Sequence, residues 1–154
     1  MQGRILAIDY GEKILGLALS DLTGKIAQPA GRIVRDNLTS DLKNFLHLIK
    51  ENEVKEIVVG LPKSLDGSLG EKAKETITFA EELKKFLSEQ GLSLPIVFWD
   101  ERLTTKEVEK VLLRADLSRK KRKGVRDQLA ACLILQNYLG SVEKSSTDTD
   151  YTDF

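Results

Sequence analysis

Hydrophobic and polar positions follow two different periods along this chain, and the first third predicts three strands. Residues 3–9 are apolar throughout their middle, which is typical of a central strand covered on both faces. A second apolar run at 14–20 follows a short turn at 10–13, so the two strands should pair as an antiparallel hairpin. Residues 26–34 predict a third strand, with Pro29 at an edge of the sheet because proline cannot donate a ladder hydrogen bond.

The spacing of apolar residues then changes to that of a helix. The first helix follows Thr39 and Ser40, which we interpret as its N-cap. Residues 57–59 predict a short buried strand that ends before a Gly-Leu-Pro turn. After a polar loop, a longer helix should run until near Gly91. Its apolar stripe consists of Ala73, Ile77, Ala80, Leu83 and Leu87.

The last third of the chain adds a fifth strand and two more helices. Residues 95–99 predict the strand. Thr104 and Glu107 fit a capping box, which typically opens a helix. A final helix at 125–139 is apolar nearly all round, so it should be well buried.

This order of elements predicts an α/β domain built on a five-stranded mixed sheet. The first three strands are antiparallel, two further parallel strands follow through crossover helices, and helices cover both faces. The domain should span residues 1–140. Residues 141–154 are rich in Ser, Thr and Asp, and we expect them to form a disordered acidic tail.

Composition excludes several classes of protein. The 154 residues suit one domain, and a hydrophobic content of 41% excludes wholesale disorder. The one cysteine, Cys132, excludes a disulfide framework and fits a reducing compartment. No apolar run approaches the ~20 residues needed to cross a bilayer, and the N-terminus lacks the pattern of a signal peptide. We therefore expect a cytoplasmic protein without a membrane partner.

Charge is balanced overall but unevenly distributed. The 24 basic and 24 acidic residues cancel, yet residues 118–126 hold six Lys or Arg and no acid. Such a basic run predicts contact with the phosphates of a nucleic acid, which positions the partner without reading its sequence. The candidate phosphate ligands are Arg119, Lys120, Lys121, Arg122, Lys123 and Arg126, with Arg102 and Lys63 as weaker candidates.

Acidic residues stand where parallel strands are predicted to end. Asp9 closes the first strand, and Asp100 and Glu101 close the fifth. Asp127 lies in the predicted first turn of the final helix among Ala and Leu, where an unpaired carboxylate would be costly to bury. Because sites in open α/β sheets gather beyond the carboxyl ends of the strands, these acids should converge.

Grouped carboxylates of this kind suit divalent metal chemistry. Phosphodiester hydrolysis needs an activated water and a neutralised leaving oxygen, and two Mg²⁺ or Mn²⁺ ions ~3.5–4 Å apart can supply both. Mg²⁺ needs only a few carboxylates, because it keeps several waters and takes further oxygens from substrate phosphate. Gly11, two residues after Asp9, would let the turn approach a metal or phosphate closely. The pattern therefore predicts a metal-dependent nuclease.

Five short segments form an ordered set of motifs. They are 7–13 (AIDYGEK), 59–62 (VGLP), 66–68 (DGS), 100–105 (DERLTT) and 127–131 (DQLAA). In this order they resemble the motifs of the YqgF family, bacterial pre-16S rRNA nucleases that are also described as Holliday junction resolvases. The resemblance covers almost the whole chain, from about Arg4 to Leu139. It implies an RNase H-like fold and processing of the 5′ end of pre-16S rRNA, with branched DNA as the alternative substrate.

The resemblance also implies roles for particular residues. Asp9 matches the family's first-strand acid, Glu101 the acid of its Asp-Glu-Arg motif and Asp127 the acid of its last helix. These three are therefore implied as catalytic metal ligands. Turn residues expected to shape the site are Gly11, Gly60 and Pro62.

The acid contributed by the fifth strand has two candidates. If that strand lies two places from the first, Glu101 must reach over the turn at 60–62, across about 9.6 Å for two strand spacings. Asp100 could take its place, although strand alternation should turn the two side chains to opposite faces.

One departure from the family pattern is Ile14-Leu15, which stands where a basic residue followed by Ile or Val is usual.

Two other functions are compatible with parts of the sequence. A non-catalytic assembly factor on ribosomal particles would use the same basic run to bind RNA. Actin-like ATPases and kinases also carry Asp-x-Gly after a first strand, but that class needs two such domains and this chain has room for one. The sequence does not decide between RNA and DNA, endo- and exonuclease action, Mg²⁺ and Mn²⁺, or a monomer and a homodimer.

Overall fold

The computed structural model describes residues 3–103 and 128–142. They form five strands and three helices connected by turns. The elements are β1 (Arg4–Asp9), β2 (Ile14–Ser20), β3 (Ala27–Val34), α1 (Leu38–Glu51), β4 (Val54–Leu61), α2 (Glu71–Glu89), β5 (Ile96–Asp100) and α3 (128–142). Among these helices, none combines the length and apolar character needed to span a membrane.

The strands form one five-stranded mixed sheet in the order β3-β2-β1-β4-β5. Strand β1 is central and pairs antiparallel with β2 and parallel with β4, while β5 continues the parallel half. The predicted hairpin, the crossover units and the mixed sheet are confirmed. Strand β4 is longer than predicted and begins at Val54.

Each face of the sheet carries its own hydrophobic core, because side chains alternate along the strands. Leu6 and Ile8 of β1 face α1 and α2, and they belong to the larger cluster. Ile5 and Ala7 face α3, whose buried residues complete the second cluster. Burial on both sides explains why β1 is apolar throughout instead of alternating with polar residues.

Strand β3 is an edge strand, as the proline predicted. Pro29 pairs with Ala18 of β2, and the pairing register shifts between Gly16 and Ala18. An edge position leaves one side of the strand without a neighbouring ladder, so the missing N–H of proline costs little there.

Two sequence interpretations about helices are wrong in detail. The N-cap of α1 is Asn37, whose side-chain oxygen accepts a hydrogen bond from the Ser40 N–H at 2.9 Å. Asparagine competes well with threonine for this position because its side chain reaches the free amide groups of the first turn. In α2, Thr76 and Phe79 are fully buried and Ile77 is only half-buried. Thr76 can be buried because its hydroxyl donates to the Lys72 carbonyl at 2.7 Å.

Several predictions concern residues outside the described ranges. They include the capping box at Thr104 and Glu107, the basic run 118–126, the start of the final helix and the acidic tail after residue 142. Within the described part, the buried character of the final helix is confirmed, since Cys132, Ile134 and Leu135 are almost completely inaccessible.

Candidate active site

The carboxyl ends of β1, β4 and β5 meet at one edge of the sheet. Asp9 is the last residue of β1, β4 ends at Gly60-Leu61, and β5 ends at Asp100. A single 3-10 turn, Glu101–Leu103, follows β5 directly. Since β4 lies between the other two strands, the acids of β1 and β5 are two strand positions apart, as the sequence predicted.

Glu101 reaches Asp9 by passing over β4 at Gly60. A Cβ atom at residue 60 would lie only 2.7 Å from Glu101 Oε1 and 3.2 Å from Glu101 Cγ. The same Cβ would lie 2.3 Å from Ile134 Cδ1 of α3. The missing side chain therefore leaves the space through which Glu101 crosses. The side chains of Glu101 and Asp9 meet in a hydrogen bond.

Burial and mutual repulsion keep a proton on this pair. Burial raises the pKa of Glu101, the negative charge of Asp9 raises it further, and the resulting pKa is about 7. Burial also raises the pKa of Asp9, although nearby Lys72 and the hydrogen bond from Glu101 oppose that rise. Below about pH 7 Glu101 is protonated and donates to the Asp9 carboxylate. Two carboxyl groups that share a proton are also a site at which a cation can replace that proton.

Asp100 has the opposite environment. Its carboxylate accepts hydrogen bonds from Arg102 Nε at 3.0 Å and from Arg102 Nη2 at 2.7 Å. These hydrogen bonds lower the pKa of Asp100 to about 2, and the positive charge of Lys63 contributes to the decrease. Asp100 is therefore neutralised by a side chain of its own segment. Of the two candidates from the fifth strand, only Glu101 contacts Asp9.

Arg102 holds the loop between β4 and α2, in addition to Asp100. Its Nη1 donates to the carbonyl oxygens of Ser64 and Leu65 at 3.3 and 3.2 Å. The guanidinium is thus engaged on three sides by the protein itself, so phosphate binding, the role proposed for Arg102 from the sequence, would have to compete with these bonds. Lys63 is half-buried close to Asp100. Pro62 lies at the centre of a tight turn in which the Lys63 N–H donates to the Leu61 carbonyl at 3.0 Å.

Lys72 is a member of this site that the sequence interpretation missed. It is exposed in the first turn of α2, and its positive charge lowers the pKa of both Asp9 and Glu101. A helix macrodipole disfavours a cation in the first turn. That unfavourable position was the available signal that Lys72 serves a neighbouring negative charge.

Gly11 is required by the hairpin turn itself. A Cβ atom at this position would lie 2.3 Å from the Ile14 carbonyl oxygen, which is far inside van der Waals contact. The close approach is therefore between two parts of the backbone, and it accounts for the glycine without a metal or phosphate. The neighbouring Tyr10 is buried, and its hydroxyl accepts a hydrogen bond from Arg35 at 2.8 Å. These contacts fix the backbone that follows Asp9.

The other predicted site residues lie outside the described ranges. They are Asp127 and the basic residues Arg119, Lys120, Lys121, Arg122, Lys123 and Arg126. Among residues 3–103 and 128–142, no three His, Cys, Asp or Glu side chains form a cluster that could hold a metal ion. Gln128, the first described residue of α3, accepts a hydrogen bond from the Gly31 N–H at 2.7 Å. Gly31 precedes Arg32, which pairs with Gly16 opposite Asp9, so α3 begins at the same edge of the sheet as the acids.

The sequence is similar to that of curated bacterial proteins along nearly its whole length. A protein of Thermoanaerobacter pseudethanolicus named "Putative pre-16S rRNA nuclease" is 48% identical over 139 residues, or 90% of this chain and 96% of that protein. A protein of the same name from Halothermothrix orenii is 48% identical over 141 residues, or 92% of this chain and 97% of that protein.

Solved structures of resolvases share the fold at low sequence identity. RuvC of T. thermophilus, in complex with a Holliday junction substrate, superimposes with a TM-score of 0.59 at 14% identity, covering 88% of this chain and 94% of that one. The Fowlpox virus resolvase, in complex with Holliday junction DNA, gives a TM-score of 0.53 at 14% identity and covers 90% of this chain and 98% of that one. These likenesses confirm the RNase H-like fold.

A family model places the chain more specifically than the fold does. The model of RuvX, described as a Holliday junction resolvase, matches residues 3–141. That range includes Asp9 at the end of β1, Glu101 directly after β5, and all of α3 except its last residue. Together with the relatives at 48% identity, the match confirms the resemblance seen in the motifs. The chain therefore belongs to the RuvX (YqgF) family of nucleases.

Proposed function

We propose that this chain hydrolyses phosphodiester bonds in structured nucleic acid with bound divalent metal, and that it processes the 5′ end of pre-16S rRNA in the cytoplasm. The observation that carries the proposal is the hydrogen-bonded pair of Asp9 and Glu101 at the carboxyl edge of the sheet. Two half-buried carboxyl groups in contact are unfavourable unless a proton or a cation neutralises them.

The chemistry of this pair fits a hard divalent cation. Carboxylate oxygens are the donors that Mg²⁺ and Mn²⁺ prefer, and Mg²⁺ needs few of them because it retains waters. Asp9 and Glu101 would hold the metal, and the resemblance to the family adds Asp127, which directly precedes α3 in the sequence. When bound, two such ions would supply a nucleophilic water at neutral pH and neutralise the leaving oxygen.

The protein's own residues prepare the site for a substrate that is itself an anion. Lys72 places a positive charge beside Asp9 and Glu101, which favours their ionised forms. The basic residues of 118–126 would bind the phosphates on either side of the scissile bond, and Lys63 would add a contact near the end of β5. Such contacts orient the backbone and leave sequence unread, as befits an enzyme that recognises structure.

Pre-16S rRNA is the substrate that we favour, because two relatives at 48% identity carry its name. That identity extends over at least 90% of this chain and at least 96% of each relative. Branched DNA is the second candidate, supported by the description of the RuvX family. A monomer would suit trimming of one RNA end, and a homodimer would suit a two-fold symmetric junction.

The direct experiment is cleavage of labelled 16S precursor by the pure protein with and without Mn²⁺. We expect metal-dependent cleavage at the 5′ side that is abolished by Asp9→Asn. Glu89→Gln is the matched control, because Glu89 is an exposed acid at the far end of α2. Cleavage that persists in Asp9→Asn would refute the assignment of the site.

The same experiment separates a nuclease from a binding factor. A non-catalytic assembly factor would retain salt-dependent RNA binding and show no turnover with either metal. A four-way DNA junction in parallel reactions tests the second candidate, and preference for that junction over the RNA would replace the proposed substrate. The mass of the protein in solution, measured with each nucleic acid, distinguishes the monomer from the homodimer.

A further inference from the structure

The loop that joins β4 to α2 presents one leucine almost completely to solvent. Leu65 is 97% exposed, and Leu69 of the same loop is 41% exposed. Single exposed leucines are ordinary on protein surfaces, so exposure by itself carries no argument. The position and the rigidity of this loop distinguish Leu65.

Hydrogen bonds within the loop fix the backbone around Leu65. The Ser64 N–H donates to the Ser68 carbonyl at 3.0 Å, and the Gly67 N–H donates back to the Ser64 carbonyl at 2.8 Å. Asp66 accepts from both the backbone and the hydroxyl of Ser68, at 2.9 and 2.6 Å. Gly67 has a φ of +87°, a conformation that other residues rarely adopt. The leucine therefore stands at the tip of a closed and well-defined turn.

Arg102 fastens this turn to the active-site strand. Its Nη1 donates to the carbonyl oxygen of Leu65 itself at 3.2 Å, while its other nitrogens hold Asp100. Glu101 lies between Asp100 and Arg102 in the sequence, and its side chain contacts Asp9. The backbone of Leu65 is thus attached, through one arginine side chain, to the segment that carries the acid pair.

Another exposed leucine shows that this placement is specific. Leu22 is 77% exposed in the turn between β2 and β3. That turn follows Ser20, and Leu19 pairs with Leu6 near the start of β1, so Leu22 lies at the end of the sheet opposite Asp9. Two comparable leucines therefore occupy the two ends of the sheet, and only Leu65 is beside the proposed catalytic site.

We propose that Leu65 is an apolar wedge that inserts between bases where paired nucleotides give way to unpaired ones. This inference rests on the proposed nuclease function and specifies the substrate feature that the site recognises. Leucine is among the side chains that proteins insert into base steps, and partial unstacking at a helix end or branch is cheaper than within a continuous duplex. An apolar side chain forms no hydrogen bonds with base edges, so a wedge of this kind selects structure and not sequence.

The rigidity of the loop suits this role. Because hydrogen bonds already fix the backbone around Leu65, binding would order only its side chain, whereas a leucine on a flexible loop would lose backbone freedom as well. The neighbouring Lys63 is half-buried beside Asp100 and would sit near the backbone of the same nucleotides. Leu65 would bind at the boundary between paired and unpaired nucleotides. Asp9 and Glu101 would then direct cleavage of the strand at a fixed distance from that boundary.

The first test compares cleavage of three RNA probes by the full chain carrying Leu65→Ser. The probes are a blunt duplex, a duplex with a single-stranded 5′ extension and a three-way branch. We expect cleavage of the extended and branched probes to fall about tenfold or more, the equivalent of losing one buried leucine contact. Leu22→Ser should cleave like the wild type, and Leu65→Phe should retain the preference. An unchanged preference in Leu65→Ser would overturn the wedge.

The second test does not depend on turnover, so it separates failure of the wedge from failure of the nuclease assignment. A fluorescent base analogue that brightens on unstacking is placed at the paired–unpaired boundary and mixed with Asp9→Asn protein in Ca²⁺. Brightening that disappears in the Asp9→Asn, Leu65→Ser double variant, and persists with Leu22→Ser, supports the wedge even if no probe is cleaved. Equal brightening with and without Leu65 refutes it while leaving the metal-dependent cleavage intact.

Discussion

Two adjacent carboxyl groups at the end of β5 have opposite properties. Glu101 points over Gly60 towards Asp9, and its pKa is raised to about 7. Asp100 is paired with Arg102, and its pKa is lowered to about 2. One peptide unit therefore separates an acid that needs a cation from an acid that already has one. The two side chains leave different elements, because Asp100 is the last residue of β5 and Glu101 is the first residue of the 3-10 turn.

The difference teaches that local charge is a poor guide to the active carboxylate. In sequence the two acids look equivalent, and each is followed by a basic residue within two positions. In space, Asp100 is paired with Arg102, and the same arginine holds the loop that carries Leu65. Glu101 is left with Asp9 as a like-charged neighbour, and this costly proximity is the reason that we propose Glu101 as the functional group.

The largest effect should come from exchanging each carboxylate for its amide. Glu101→Gln removes an oxygen donor from the proposed metal site, and we expect cleavage to fall by more than the roughly 10–100-fold that outer-shell changes cause. Asp100→Asn should lower it by less, since it only weakens the hold on Arg102. Calorimetric titration with Mn²⁺ checks the cause: binding should weaken in Glu101→Gln and remain in Asp100→Asn. Equal losses in both variants would mean that the two acids do not differ in role.

The next largest effect should come from filling the space at Gly60 through which Glu101 reaches Asp9. In Gly60→Ala the new methyl group would lie 2.3 Å from Ile134 Cδ1 and 2.7 Å from Glu101 Oε1, so both side chains would have to shift. Because Ile134 is buried in a packed core, we expect the free energy of unfolding to fall by roughly 1–3 kcal/mol from overpacking. Glu101 would also be displaced from Asp9, and activity should fall more than stability explains. Gly140→Ala is the control, because no atom lies within 4 Å of its added Cβ. Urea unfolding of both variants would measure the difference in stability. A Gly60→Ala variant with wild-type stability would show that the Glu101 side chain can reach Asp9 by another path.

The fold was predictable to a large extent because its signals are local. The apolar run of β1, the short turn before β2 and Pro29 each reflect a constraint that acts within a few residues. The convergence of strand ends followed from the topology of parallel strands. Boundaries were less accurate, as with the N-cap at Asn37, since several polar residues at a helix start can fill that position.

The site was predictable only in its list of acids. That Gly60 provides a passage depends on Ile134 and Glu101, which are distant in sequence, and no pattern at residue 60 reports them. At Gly11 the structure shows a constraint that the sequence did not indicate, the Ile14 carbonyl, while the approach of a metal or phosphate stays a prediction. Phosphate binding by Arg102 stays a prediction, and the hydrogen bonds with which it would compete come from Asp100 and from residues distant in sequence. Metal binding by Asp9, Glu101 and Asp127 remains a prediction.

A smaller effect should appear when the stability of the metal-free protein is followed against pH. The pKa of Glu101 is raised in the folded state, so its stabilising contribution is complete below about pH 4.5 and is lost as the pH rises through about 7. Glu101→Gln should flatten that decline, by on the order of 1–2 kcal/mol between these limits. The lowered pKa of Asp100 acts in the opposite sense, with stability lost as the pH falls from 3.8 towards 2. Chemical unfolding in the presence of a chelator, measured across this pH range, would test whether Glu101→Gln and Asp100→Asn change the pH dependence of stability in opposite directions.

The smallest effect should follow from Arg102→Lys, which keeps the charge but loses the planar fork. An ammonium group cannot hold both oxygens of Asp100 and the carbonyls of Ser64 and Leu65 at once. Because Arg102 is exposed, we expect little change in global stability. The local consequence should be clearer: the Gly67 and Ser64 amides, which are hydrogen-bonded inside the loop, should exchange their hydrogens faster. The amides of β1 and β4 should exchange at the wild-type rate, because the contacts that Arg102→Lys loses are confined to Asp100 and to the loop between β4 and α2. Faster exchange in the loop and also in β1 and β4 would mean that the loop and the strands of the acid pair move together. Glu101 and Asp100 would then differ only in their electrostatic environments.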